Sequence, residues 1–155
     1  MNAPDVAPVR RQRILQLIPH QGAMCLWDTV LAWDADGIVL QTDNHRDPRH
    51  PLRSDGRLRA VHLCEYGAQA MAVHGGLLAA AAEGTAPPGL LVALRGVQLQ
   101  VGRIDDLPGP LQGHATLLAS SAASQQYAFS ITHQDRLLAE GRAAVMLQPH
   151  LQETA

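Results

Sequence analysis

The stretch AVHLCEYGAQAMAVHGGLLAAAA, residues 60–82, decides the fold of this chain. It is rich in alanine and other strong helix formers, and Glu65 is its single acidic residue. A helix with small or apolar side chains on every face is typical of a protein interior, since no face is suited to water. We therefore predict one long buried helix over residues 60–82.

Strand patterns lie on both sides of this helix. Upstream, residues 24–33 and 38–42 are strand-like and are separated by a turn at 34–37, which predicts a hairpin. Downstream, apolar and polar residues alternate in four further segments, 97–101, 111–119, 126–132 and 137–147. The pattern predicts an α+β fold in which an antiparallel sheet of about six strands wraps around the single helix.

The composition is that of one folded domain. The chain has 155 residues, of which 46% are hydrophobic and 17% charged, which is enough apolar material for a core. We predict a single domain over 1–155, with loose tails at 1–12 and 149–155. A net charge of −2 argues against nucleic-acid binding. Polar residues inside 60–82 argue against a membrane span, and no signal peptide is visible, so we expect a cytoplasmic protein.

All twelve basic residues are arginine, and this restricts the chemistry available. Without lysine, Schiff-base catalysis and lysine-containing phosphate loops are excluded, so a catalytic base must be His, Asp, Glu, Cys or Tyr. The neighbours His62, Cys64 and Glu65 form only part of a metal-binding pattern, because a structural zinc or a di-iron site needs further ligands at a regular spacing. We predict no metal.

Glu65 and His50 are the candidates for acid–base chemistry. A carboxyl enclosed by apolar residues holds its proton near neutral pH, as a general acid must, but Glu65 is equally well explained as a structural partner of a nearby arginine. His50 lies in the polar loop 43–57, and Pro51 restricts its backbone to extended conformations. As an isolated loop histidine it is more often solvated than functional, and His20 has the same ambiguity.

Five arginines lie in or next to the loop that carries His50. Such a group attracts anions despite the negative charge of the whole chain, and it fits either an acidic partner or a phosphate-bearing substrate. A solvated loop with salt bridges at a helix terminus explains the same residues. The five are Arg46, Arg49, Arg53, Arg57 and Arg59.

Several motifs along the chain are similar to those of one enzyme family. They are HPL at 50–52, Gly56, CEYGAQAM at 64–71, LIPHQGAMCLWDTVLAWD at 17–34 and LLAEGRAAVMLQP at 137–149. Together they cover nearly the whole chain. The combination resembles the 3-hydroxyacyl-acyl-carrier-protein dehydratase family of the hotdog fold, and within it the branch associated with aryl-polyene and xanthomonadin-type pigment clusters.

The resemblance implies a fold and a composite active site. In a hotdog fold the sheet wraps around the long helix, two protomers join their sheets, and each active site lies at their interface. By motif, His50 corresponds to the catalytic histidine and Glu65 to the catalytic acid, contributed by opposite subunits. Gln69 corresponds to the glutamine that supports the acid. Ala60 and Val61 are the implied substrate-binding residues, with the Ala60 amide donating to the thioester carbonyl.

The resemblance also implies a reaction and its partners. Water is eliminated from a 3-hydroxyacyl thioester to give the trans-2-enoyl thioester, without a metal or redox cofactor. The substrate is carried on the phosphopantetheine of acyl carrier protein, for which we expect Arg49, Arg53, Arg57 and Arg59 to form the docking surface. The assembly is a homodimer or a heterodimer with a related hotdog subunit. Two alternatives stay open: a hotdog thioesterase in which Glu65 activates water, and a non-catalytic hotdog partner subunit that binds acyl carrier protein.

Overall fold

A seven-stranded antiparallel sheet and one long helix make up the computed structural model, which describes residues 7–84 and 89–147. The strands lie side by side in the order β1-β2-β3-β5-β6-β7-β4. The elements are β1 (Val9–Arg10), α1 (Arg11–Leu17), β2 (Thr29–Trp33), β3 (Gly37–Thr42), α2 (Leu63–Ala81), β4 (Gly89–Leu99), β5 (Leu111–Ser120), β6 (Ser124–His133) and β7 (Arg136–Leu147).

The long helix confirms the main prediction from the sequence. A 3-10 turn, Ala60–His62, leads into α2, which packs on the inner face of the sheet against β5 and β6. The approach is close at Gly67, where an added Cβ would lie 2.6 Å from the ring of Phe129. The helix therefore needs glycine at this position. No helix among the described residues is long and apolar enough to cross a membrane.

The strands confirm the predicted antiparallel sheet and differ from the prediction in detail. The strand predicted at 24–33 begins only at Thr29, and a 3-10 turn occupies Gly22–Met24. Between them the buried Trp27 donates its indole N–H to the Tyr66 carbonyl at 2.8 Å, so this segment is shaped by contact with α2. β4 extends over Gly89–Leu99, well upstream of the alternating pattern that predicted it.

The end of the predicted N-terminal tail is ordered. Residues 9–10 pair with β2 as the seventh strand, and α1 starts at Arg11. The guanidinium of Arg11 donates to the carbonyl oxygens of Gly22 at 2.7 Å and Cys25 at 2.8 Å, and to Asp28 at 3.1 Å. These bonds account for the order at 9–12, contrary to the expectation of a loose tail over 1–12. Residues 1–6 and the predicted tail at 149–155 lie outside the described residues.

One edge of the sheet is apolar. Among the described residues β4 pairs with β7 alone, so its other side presents unpaired backbone groups. Its exposed large side chains are Leu91, Leu94, Val97 and Leu99, each 37–41% accessible. Exposed apolar edge strands are uncommon in monomers because they associate with other chains, so this edge is suited to contact with a second subunit.

Candidate active site

Glu65 lines an apolar cavity of about 600 Å³ between α2 and the sheet. One face of the helix forms one wall, because positions three and four residues apart lie above one another. That face consists of Glu65, Ala68, Ala72, Gly75 and Ala79. The opposite wall is formed by the ends of strands β4, β6 and β7, with Gly89, Leu91, Gln125, Tyr127, Val145 and Leu147. The site thus combines one acid with an elongated apolar space.

The Glu65 carboxylate is held on one of its two oxygens. Gln69 donates to Oε1 from 3.1 Å, and His20 Nε2 lies 3.3 Å from the same atom. Oε2 has no hydrogen-bond partner among residues 7–84 and 89–147. The side chain is 38% exposed, so a single chain does not enclose the acid as the sequence predicted.

Gln69 is fixed by the backbone preceding β2. It is fully buried, its Oε1 accepts the Leu26 amide at 2.8 Å, and its Nε2 donates to the Met24 carbonyl at 2.8 Å. These two bonds determine the orientation of the amide, so its second N–H points at Glu65. The structure brings Gln69 and Glu65 together as the resemblance implies, although the two residues are also one helical turn apart.

His50 is buried in a chain of hydrogen bonds. Its Nδ1 accepts the Leu52 amide at 3.1 Å, so its proton is on Nε2, which lies 2.9 Å from the Tyr66 hydroxyl. Tyr66 in turn donates to Asn44 Oδ1 at 2.8 Å. Burial lowers the pKa of His50 below its ordinary value of 6.5, with smaller contributions from His62 and Arg53. The imidazole is therefore neutral at pH 7, with both ring nitrogens engaged.

Within one chain, His50 and Glu65 line different cavities. The His50 cavity has a volume of about 460 Å³ and is lined by charged side chains as well as by His50. Its lining residues are Arg11, Ala23, Cys25, Asp28, Asn44, Asp47, Arg49, His50 and Pro51. A single protomer does not combine the predicted base and acid in one space, so a site that uses both needs a second subunit.

The predicted substrate-binding residues lie in the 3-10 turn that leads into α2. The Ala60 amide donates to the Gly102 carbonyl at 3.0 Å, so it has no hydrogen left for a substrate in this conformation. The amide of Val61 makes no hydrogen bond within the described ranges, and its side chain is 55% exposed. The donor that the sequence prediction assigned to Ala60 is therefore available one residue later, at Val61.

Three of the four arginines predicted for docking are exposed. They are Arg49, Arg57 and Arg59, and the first lies 3.5 Å from Asp47. Arg53 is different, because its guanidinium donates to the carbonyl oxygens of Arg46 at 3.1 Å and Gly56 at 3.4 Å. It therefore supports the shape of its own loop instead of presenting a free charge.

Three residues around the site were not assigned a role from the sequence: His20, Tyr66 and Asn44. His20 and Tyr66 occur in the motifs LIPHQGAM and CEYGAQAM, whereas nothing in the sequence distinguishes Asn44 from other polar loop residues. No group of three or more His, Cys, Asp or Glu side chains is placed to hold a metal ion in the described part of the chain.

Comparison with known protein families identifies a family that matches this chain. The sequence model of the ApeP-like family, described as ApeP dehydratase, matches residues 12–155. The chain belongs to the ApeP-like family of dehydratases. The resemblance noted in the sequence is thereby confirmed, including its pigment-type branch. No curated protein matches the chain in sequence.

Solved structures similar to this ApeP-like protein share its hotdog fold. The dehydratase heterocomplex ApeI:P from Xenorhabdus doucetiae matches with a TM-score of 0.79 and 22% identity, over 88% of this chain and 91% of the other. AziG from S. sahachiroi matches at 0.56 with 18% identity, over 76% and 88%. A variant of the thioesterase SAV0944 from Staphylococcus aureus matches at 0.56 with 14% identity, over 77% and 92%. At these identities the likeness shows the fold alone.

The stability of this ApeP-like protein should depend on pH because two of its buried histidines have a lowered pKa. Burial lowers the pKa of both His45 and His50, so the unfolded chain binds these protons at a higher pH than the folded chain. Their contribution is therefore present above pH 6.5 and is lost as the pH falls below it, at up to about 1.4 kcal/mol per pH unit for each histidine. We expect the free energy of unfolding to fall between pH 7 and pH 5.

Urea denaturation at several pH values measures this effect. The matched control is the double variant His45→Gln/His50→Gln, in which the glutamine amide introduced at position 45 can still donate to the Leu107 carbonyl, which lies 2.8 Å from His45 Nε2. Its stability should fall less steeply over the same range. An equal slope in both proteins would mean that these histidines are not neutral in the folded state.

Proposed function

We propose that this protein eliminates water from a 3-hydroxyacyl thioester carried on acyl carrier protein, giving the trans-2-enoyl thioester. The proposal rests on the Glu65 carboxyl. Gln69 and His20 contact its Oε1, and Glu65 lines an apolar cavity of about 600 Å³. Membership of a dehydratase family supports the reaction class. The acid, the cavity and the family membership together favour the elimination of water from a substrate that carries an apolar acyl chain.

Elimination needs two proton transfers. A base removes the proton from C2, the C2–C3 double bond forms, and the C3–O bond breaks as an acid protonates the departing hydroxyl to water. We assign the acid to Glu65, whose Oε2 has no partner among the described residues. We assign the base to His50, which is neutral at pH 7 because burial lowers its pKa. The reaction is redox-neutral, so these groups require no electron-transferring cofactor.

The two groups would meet between subunits. His50 and Glu65 line separate cavities in one chain, and the apolar edge strand β4 borders the Glu65 cavity through Gly89 and Leu91. A second hotdog subunit packed along this edge would cover the exposed carboxylate and bring its own loop to the cavity. Water would then be excluded from the reacting groups, which strengthens their electrostatic interactions.

The remaining parts of the substrate would be held at the start of α2 and along its cavity face. The Val61 amide, close to the positive end of the helix dipole, is placed to donate to the thioester carbonyl as negative charge develops there. The acyl chain would follow the small side chains from Ala68 to Ala79. Exposed Arg57 and Arg59 immediately precede this region in sequence and would attract an acidic carrier protein.

A subunit-mixing experiment tests the proposal. His50→Ala and Glu65→Gln proteins are each expected to retain about 1% or less of the wild-type activity on a 3-hydroxyacyl thioester of acyl carrier protein, measured by ultraviolet absorbance of the enoyl product. If a homodimer uses one residue from each subunit, hybrids formed by unfolding and refolding the two variants together contain one intact site. About a quarter of the wild-type activity should then return.

The controls separate the rival outcomes. Each variant refolded by itself should stay at its own residual activity. Dehydration that survives in either single variant would rule out the assigned acid–base pair. Release of free thiol from an acyl thioester, undiminished in His50→Ala, would instead indicate a thioesterase.

One observation favours a second candidate, a hotdog subunit that completes a heterodimer without using its own His50. Both ring nitrogens of His50 are engaged by Leu52 and Tyr66, so the residue could accept a proton only after one of these bonds opens. A solved relative is a heterocomplex of dehydratase subunits. If wild-type protein alone is inactive, but a second hotdog subunit restores activity that His50→Ala does not reduce, this candidate replaces the first.

A further inference from the structure

We infer that His20 is a positioning residue for Glu65, which it holds in one rotamer together with Gln69. This inference rests on the proposed function, because it assigns a role within the same site. His20 Nε2 lies 3.3 Å from Glu65 Oε1, and both residues line the 600 Å³ cavity. The two belong to different segments, the turn after α1 and the first turn of α2, so the contact is formed by the tertiary fold and not by helix periodicity.

The hydrogen-bonding pattern of the His20 ring supports a role directed at Glu65. Its Nδ1 is buried and has no partner among the described residues, so Nε2 makes the single polar contact of the ring there. Buried polar side-chain atoms in folded proteins nearly always have a partner, and an exception needs an explanation. The role inferred for His20 uses the form of the ring that carries a proton on Nε2, the atom that lies 3.3 Å from Glu65 Oε1.

The turn that carries His20 is held independently of Glu65. Gln21 Nε2 donates to the carbonyl of Leu15 at 2.8 Å and to that of Ile18 at 3.3 Å. These bonds tie the turn to the end of α1, and Pro19 restricts the backbone immediately before the histidine. The imidazole is therefore presented to Glu65 by a segment that does not depend on the carboxylate for its shape.

Two polar contacts on one oxygen determine which oxygen reacts. Gln69 donates to Oε1 and His20 Nε2 lies 3.3 Å from the same atom, which favours negative charge on Oε1 and leaves the transferable proton on Oε2. Gln69 alone would leave the carboxylate free to rotate about its contact, whereas a second contact from a separate segment restricts its plane. A carboxyl displaced by about 1 Å from its reacting position can lose a hundredfold in rate.

A comparison of two substitutions at position 20 tests the inference. His20→Leu removes the donor, and we expect kcat for dehydration to fall about tenfold to a hundredfold while KM changes less than about twofold. His20→Gln keeps an N–H close to the position of Nε2, so its kcat should stay within a few-fold of the wild type. Equal losses in the two variants, or a wild-type kcat in His20→Leu, would overturn the inference.

A double-variant cycle separates positioning from a general loss of structure. In a Glu65→Gln background the acid is already absent, so adding His20→Leu should cause no further loss of kcat. If His20 only supported the fold, its effect would multiply with that of Glu65→Gln. Thermal unfolding of each variant, with Tm expected to stay within a few degrees of the parent, completes the comparison.

A spectroscopic measurement keeps this inference separate from the proposed function. If the wild-type protein shows no dehydratase activity, the proposed function fails, but the contact can still be measured by NMR. The nitrogen-15 resonance of His20 Nε2 should shift in Glu65→Ala and stay unchanged in Glu140→Ala, a control acid on β7 that lies outside the cavity. No shift in Glu65→Ala would overturn the contact itself.

Discussion

Replacing Glu65 with glutamine is expected to lower kcat for dehydration by about a hundredfold to ten-thousandfold, the range contributed by a positioned proton donor. Glutamine has nearly the same shape as glutamate and keeps an oxygen that can accept the amide of Gln69, which lies 3.1 Å from Oε1. It cannot transfer a proton to a departing hydroxyl. The loss should therefore appear in kcat, with little change in KM.

Stability measurements distinguish a chemical effect from a structural one. The Glu65 side chain is 38% exposed, and glutamine keeps an oxygen for the contact with Gln69, so Tm of the glutamine variant should stay close to that of the wild type. Glu140→Gln is the matched control, since it makes the same chemical change on β7 outside the cavity, and its activity should be unaltered. Full activity in Glu65→Gln would remove Glu65 from the reaction and with it the proposed mechanism.

The helix and the sheet were predictable because each depends on a local pattern. Alanine content identifies α2, and the alternation of β5, β6 and β7 follows from one buried and one exposed face. The beginning of β2 was not predictable in the same way. Its position depends on Trp27, whose indole N–H binds the Tyr66 carbonyl of α2 at 2.8 Å, and no local pattern encodes a contact between residues 39 positions apart.

The sequence offers residue types for a candidate site, but it does not give their hydrogen bonds. Motifs selected Glu65, His50 and Gln69, since spacing and residue identity are visible in a sequence. The contact of Glu65 with His20 was not visible, because it joins the turn after α1 to the long helix. The bond of the Ala60 amide was not visible for the same reason, as its acceptor is the carbonyl of Gly102, 42 positions away.

The arginines of the loop that carries His50 also differ in ways that the sequence does not show. All the arginines of the loop are equivalent in the sequence, yet Arg53 is directed at backbone carbonyls while Arg57 and Arg59 are exposed. Which arginine is available to a partner depends on how the loop folds back on itself, through the backbone bonds between Ser54 and Arg57. A carrier-docking surface is therefore better sought at the exposed Arg49, Arg57 and Arg59 than at Arg53.

Enlarging Gly75 is expected to shorten the acyl chain that the protein accepts. Gly75 lies on the cavity face of α2, about 15 Å along the helix axis from Glu65. An added Cβ would meet no atom within 4 Å, so the space in front of it is open. In Gly75→Phe the ring would occupy that space. We expect kcat/KM to fall at least about tenfold for long 3-hydroxyacyl thioesters and to change little for short ones.

Two further substitutions show whether the effect comes from cavity volume. Gly75→Ala adds one methyl group and should retain long substrates while gaining up to about 1 kcal/mol of stability, since alanine is the better helix former. Gly76→Ala changes the next residue, where a Cβ would lie 3.0 Å from both Cβ and the carbonyl oxygen of Leu17, so it should lower Tm without altering chain-length preference. A kcat/KM series over substrates of increasing length, with Tm for each variant, measures both effects. If Gly75→Phe processes long and short substrates as the wild type does, the acyl chain does not lie along this face of α2.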